Sequence, residues 1–183
     1  MAKTDVLIGA PIKATGGVMH APLGSTMPTD AKAALDGAFV KGGFVGEDGL
    51  TRSINAQDEK IKAWGGDTIR VVRSEHSVVY KLVFLESANA DTLKLLFGKD
   101  NVEVSGQDIT VKVKSDQVPR RAFVFDMKDG EFKIREAVQD GQLSMSGDVQ
   151  YVHSNIIKYE VEIEAFPDEN GVKAIQYISK PAN

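Results

Sequence analysis

Apolar and polar side chains alternate with a period of two along much of this chain. Tyr159, Val161 and Ile163 alternate with Glu160, Glu162 and Glu164, and Ile109, Val111 and Val113 alternate with Thr110, Lys112 and Lys114. Phe132, Ile134 and Val138 share one parity of segment 131–139. Such alternation sends one side-chain set to a buried sheet face and the other to an exposed one. Residues 78–85 are apolar on both parities apart from Lys81, which predicts a central strand covered on two sides.

Turn chemistry agrees with a sheet protein. Asp48-Gly49, Asp129-Gly130, Asp140-Gly141 and Asn170-Gly171 each sit between strand-like runs, and Ser105-Gly106 adds another. Asp-Gly and Asn-Gly tolerate the positive φ angles of tight turns, so each pair predicts a hairpin. One amphipathic helix is predicted at about 88–97. Ser87 or Asn89 caps it, Asp91 suits its positive end, Leu93, Leu96 and Phe97 share a face, and Gly98 closes it. A shorter helical signal covers 30–35. Segment 9–30 shows neither period and carries Pro11, Pro22, Pro28, Gly16, Gly17 and Gly24, so it reads as an extended arm or loop. The predicted class is mainly β (α+β): two packed antiparallel sheets forming a sandwich or partial barrel, one flanking helix, and a single domain spanning 1–183.

Composition narrows the classes. With 183 residues and 42% apolar content, a core forms without staples. The chain has no cysteine, which excludes disulfides and thiolate chemistry. The first apolar run is broken by Pro11 and Lys13, too early for a signal peptide. No run reaches the roughly 20 apolar residues of a membrane helix. Synthesis and folding in the cytoplasm are expected. The net charge of −4 disfavours binding nucleic acid through phosphate contacts.

Catalytic and cofactor templates are missing. There is no phosphate-binding Gly-rich loop, no dinucleotide fingerprint, no Gly-x-Ser-x-Gly elbow and no His-Glu-x-x-His. His20, His76 and His153 fall in separate segments without metal-ligand spacing, and Asp168-Glu169-Asn170-Gly171 reads as a turn rather than a calcium loop. No catalytic, cofactor or metal residue is assigned, and no enzyme is expected. The row Glu160, Glu162, Glu164 is a solvated strand face or, on a sharper reading, part of a lumen wall. The single tryptophan, Trp64, is either a buried packing anchor or part of a recognition loop with Gly65 and Gly66. Arg120 and Arg121 are too short a basic run for nucleic acid.

The order of segments carries a resemblance. Thr15-Gly16-Gly17-Val18, Ala21-Pro22-Leu23-Gly24 and Met27-Pro28-Thr29-Asp30-Ala31 lead into Gly43-Phe44-Val45-Gly46-Glu47-Asp48-Gly49-Leu50. Ile61-Lys62-Ala63-Trp64-Gly65-Gly66-Asp67-Thr68, Leu85-Glu86-Ser87-Ala88-Asn89-Ala90-Asp91, Gly147-Asp148-Val149 and Tyr159 to Asp168 follow. Together, from about Gly9 to Ile178, they resemble the major tail tube proteins of long-tailed, siphovirus-type bacteriophages of Gram-positive bacteria. The resemblance implies a fold shared with contractile-tail and type VI secretion tubes. It also implies a virion protein whose hexameric rings stack into a hollow tube that conducts phage DNA. The implied partners are further copies of itself, the tape measure protein in the lumen, and the tail tip and terminator proteins. DNA would pass without specific binding, and no membrane insertion is implied. Some relatives carry an immunoglobulin-like C-terminal domain, which is not expected here.

Edge strands of a mainly antiparallel domain invite pairing with other chains, and a closed ring removes them. The 9–30 arm and the loop 41–57 are therefore candidate contacts between subunits, with Val18, Met19, Leu23, Met27, Phe44, Asp48 and Leu50 as candidate residues. Six copies at −4 each would give −24 per ring, and a carboxylate-lined lumen repels phosphate. Glu160, Glu162 and Glu164 are the candidate lining. Two rival readings are a monomeric β-sandwich binding carbohydrate or a cell-surface ligand, and a small β-fold hydrolase.

Overall fold

The computed structural model describes residues 6–13 and 17–180. Residues 14–16 of the predicted arm lie outside them. In chain order the strands are β1 (Ala10–Pro11), β2 (Val18–Pro22), β3 (Val40–Lys41), β4 (Thr51–Lys62) and β5 (Thr68–Phe84). Helix α1 (Ala90–Phe97) and a 3₁₀ turn (Lys99–Asn101) follow, then β6 (Val102–Ser105), β7 (Asp108–Val111), β8 (Arg121–Asp129), β9 (Phe132–Met145), β10 (Tyr159–Ala165) and β11 (Ile175–Ser179). The fold is mainly β with one flanking helix, as the periodicity predicts.

Nine strands form one antiparallel sheet in the order β3-β2-β8-β9-β10-β5-β4, with β1 on β8 and β11 on β9; β6 and β7 form a separate hairpin. The large sheet folds over itself into two layers. Strand β9 passes through both: its first part pairs with β8 and β11, and residues 141–145 pair with β10. The change of partner falls at Gly141. A Cβ there would come within 2.9 Å of Phe123 Cδ2 and 3.0 Å of Ile163 Cγ2. Asp140-Gly141 is thus no hairpin turn. The glycine is needed for close packing inside a strand, not for a positive φ.

The alternation of β10 is fully realised. Tyr159, Val161, Ile163 and Ala165 point into the core opposite Phe84, Leu82 and Tyr80 of β5. The layers meet where the Tyr80 ring stacks on Phe125, centroids 5.0 Å apart. Residues 78–85 are not covered on two sides: Val78, Tyr80, Leu82 and Phe84 are buried, whereas Val79 and Val83 are half-exposed and Lys81 is exposed. The doubly covered strand is β8. Its Phe123 and Phe125 join the main core, and its Ala122 and Val124 join a second cluster with Ala21, Phe39 and Ala137.

Helix α1 is capped by the Asn89 side chain, which accepts from the Asp91 N–H at 2.9 Å. Thr92, Leu93, Leu95 and Leu96 are buried, each leucine contributing about 2 kcal/mol by removal from water. Gly98, at φ 90°, ends it. No helix forms at 30–35. The Asp30 carboxylate accepts from the Lys32 and Ala33 N–H groups at 2.6 Å, and Arg135 takes the Asp30 and Ala33 carbonyls that a helix would use.

Two predicted hairpins form, β8–β9 through Gly130 and β6–β7 through Gly106, both glycines at positive φ. Val113 falls outside β7 and is exposed. Asp48-Gly49 and Asn170-Gly171 make tight turns, but the strands on either side of each do not pair with each other. The second is held by Asp168, whose carboxylate accepts from Asn170 and Val172 N–H groups.

Candidate assembly surfaces

The longest element is a hairpin absent from the sequence-level expectation. Strands β4 and β5 pair from Thr51↔Lys81 out to Lys62↔Thr68, and beyond about Ser77 almost every side chain is exposed. The ladder shifts between Gln57 and Asp58, where Ser74 is the extra residue of a bulge. The Gly66 N–H donates to the Ala63 carbonyl at 2.9 Å and Gly66 has φ 93°, closing the tip. Trp64 stands there fully exposed. It is not a packing anchor, because none of the described residues covers it. The signal that locates this turn is Gly65-Gly66 between runs carrying Ile61, Ile69, Val71 and Val72.

Among the described residues, two of the open sheet margins bound a single ribbon. Strand β4 pairs only with β5, and among the described residues segment 142–145 of β9 pairs only with β10. Between them runs a four-stranded ribbon, β9-β10-β5-β4. Its outer face carries Glu160, Glu162 and Glu164, all half-buried. Glu162 pairs with Lys81 at 2.6 Å and Glu160 with Lys158 at 2.9 Å, while Glu164 stands opposite Val79 and Gln142.

The remaining candidate residues scatter. Val18, 3% exposed, belongs to the main core and offers a neighbour almost no surface. The reason is β2: Val18 to Pro22 pair with β8, and the apparent loop is partly a sheet strand. Met19 and Met27 pack half-buried on the second cluster. Leu23 and Phe44 are exposed, and the Phe44 N–H donates to Glu86 at 3.2 Å. Leu50 packs half-buried on the main core. Val18 and Leu50 meet with Val45, Phe125 and Met127 in an open groove of about 350 Å³, lined also by Glu47 beside the exposed Asp48.

Buried charge is confined to the interior. Asp126 receives Arg135 Nε at 2.6 Å and Nη2 at 2.9 Å. Glu136 accepts from Arg52 at 2.7 and 2.9 Å and from the Tyr80 hydroxyl at 2.9 Å. Burial, then the Glu136 charge, raises the Tyr80 pKa above its ordinary value. His20 is buried with both ring nitrogens unpaired among the described residues, and burial followed by the Arg121 charge lowers its pKa to about 4. His76 and His153 are exposed. Among the described residues no group of three or more histidine or carboxylate side chains is placed to hold a metal.

The antiparallel domain thus presents open sheet margins, a charged outer face and a long unburied hairpin. The family model for phage tail tube protein matches residues 5–183, and the chain belongs to that family, a structural component of phage tails. No curated protein sequence matches the chain. Among solved structures it is similar to the anti-feeding prophage cap (AFP tube terminating cap), at 10% identity over 98% of this chain and 100% of that one, with a TM-score of 0.45.

Proposed function

We propose that copies of this chain close into hexameric rings that stack into the hollow tail tube of a long-tailed phage of a Gram-positive host, through which DNA passes. The observation that carries the reading is the pair of unpaired margins on one ribbon, β4 on one side and segment 142–145 of β9 on the other. Around a ring, the β4 edge of one copy hydrogen-bonds to the 142–145 edge of the next, and the ribbons join into an inner barrel without free edges. The ribbon face opposite the core then becomes the wall, with Glu160, Glu162 and Glu164 toward the lumen. On that face Lys158 and Lys81 offset Glu160 and Glu162, so Glu164 is the carboxylate left without a cationic partner, and this small excess of negative charge repels phosphate and lets DNA slide without sticking. The tape measure protein occupies that lumen before DNA does, and tip and terminator proteins close the ends. Subunits wait in the host cytoplasm until assembly, and the role is structural rather than enzymatic.

Electron cryo-microscopy of the assembled protein tests this. The expected result is a six-fold ring with β4 beside the neighbouring 142–145 segment and the glutamate row inside. A tube with that row on its outer surface, or a chain that stays monomeric even with tip proteins supplied, overturns it.

A further inference from the structure

We propose that the indole of Trp64, at the hairpin tip of one copy, docks into the groove between Val45, Leu50 and Met127 at the hairpin base of a second copy, joining copies head to tail. The contact rests on the tube reading and names the surfaces that would hold successive copies.

Three observations carry it. First, a tryptophan with its whole side chain in water is an unused anchor: aromatic side chains bury about 150–250 Å² each and dominate interface energetics. Second, the groove is apolar in its walls and, at about 350 Å³, falls within the roughly 300–1,000 Å³ of pockets that hold ring-sized groups. Third, the hairpin cannot fill its own groove. Leu50 stands immediately before β4, and the twelve residues of that strand place the tip roughly 40 Å away at about 3.3 Å per residue. A Trp64 that fills this groove therefore comes from another molecule.

Charge selects a second copy as that molecule. Glu47 lines the groove and Asp48 adjoins it, and neither has a partner among the described residues. Lys60, Lys62 and Arg70 flank the tip, likewise unpartnered, against Glu59 and Asp67, which leaves the tip with a net charge of +1. A basic tip meeting an acidic mouth is favoured, and two basic tips meeting each other are not. Tip and groove are different surfaces of one chain, so the contact propagates in one direction instead of closing as a two-fold dimer.

The chain supplies clean reporters, having one tryptophan and no cysteine. Gly65 accepts a side chain freely, since a Cβ there meets nothing within 4 Å. The double variant D48C/G65C, oxidised in solution, is expected to give a ladder of disulfide-linked oligomers, because a disulfide requires Cα atoms closer than about 7 Å. Neither single variant should give more than traces. Adding W64A should cut the ladder at least tenfold while W64F preserves it, and the emission of wild-type Trp64 should shift to the blue as concentration rises. Tubes visible by microscopy without a ladder overturn the docking contact and leave the tube reading standing. A ladder indifferent to W64A removes the indole, and G65C dimers formed alone replace the head-to-tail contact by a tip-to-tip one. A chain that sediments as a monomer, gives no ladder and never forms tubes overturns both readings.

Discussion

The Arg135 guanidinium grips the Asp126 carboxylate through two hydrogen bonds, Nε to Oδ1 at 2.6 Å and Nη2 to Oδ2 at 2.9 Å, with both side chains almost out of solvent. The pair joins β8 to β9, and the remaining Nη1 holds the carbonyls of Asp30 and Ala33. Removing one partner strands a buried charge. D126N should therefore lose about 3–5 kcal/mol of stability, read from urea denaturation midpoints, whereas replacing both residues by apolar ones of similar volume should lose far less.

Gly141 has no room for even a methyl group between Phe123 and Ile163, both fully buried. G141A should cost about 1–3 kcal/mol through overpacking, measured as a fall in thermal midpoint with the strand content unchanged by circular dichroism. A neutral result would mean the two layers part easily at this point.

His20 makes stability depend on pH. Its folded-state pKa is about 4 against 6.5 unfolded, so the unfolded chain binds the extra proton. The stability it protects is complete above about pH 6.5 and is lost as pH falls from there through 4, up to about 3 kcal/mol in all. Arg121 opposes the protonated ring and Asp91 favours it. Urea midpoints between pH 7.5 and 4 should show this slope, and H20M should flatten it.

Tyr80 combines a stacked ring with a hydroxyl donated to Glu136. Y80F keeps the stacking and removes the donor, which should cost about 1–3 kcal/mol because Glu136 is buried and then relies on Arg52 alone. Equal stability of Y80F and wild type would show that water replaces the hydroxyl.

Replacing 58–74 by a two-residue Asn-Gly turn should leave the stability of the body within about 1 kcal/mol, since the excised side chains bury almost nothing. The same variant should fail to form tubes. Calorimetry and microscopy on one preparation separate the two effects.

The sequence made legible what burial had written into it. Strand β10, helix α1 and the hairpins at Gly106 and Gly130 follow from alternation, capping and turn chemistry. Strand β4 left no such trace: Thr51–Lys62 is exposed on both faces, so no parity had to be apolar. Strand β2 is short and lies among prolines and glycines, which hid the burial of Val18. Asp140-Gly141 misleads because a glycine demanded by close packing looks the same in sequence as one demanded by φ. Trp64 misleads similarly, because its apolar surface is the same whether the contact is with its own core or with another molecule. The outward glutamates were readable as a face, but what that face looks upon depends on neighbours that no single chain encodes locally.

The uninterrupted passage of β9 through both layers has a mechanical consequence. Tension on the ribbon that includes 142–145 travels into the β8 layer along covalent backbone, past Gly141, instead of across a slip plane of side chains. A structural component of a phage tail gains from such a joint, because shear has no seam along which to open.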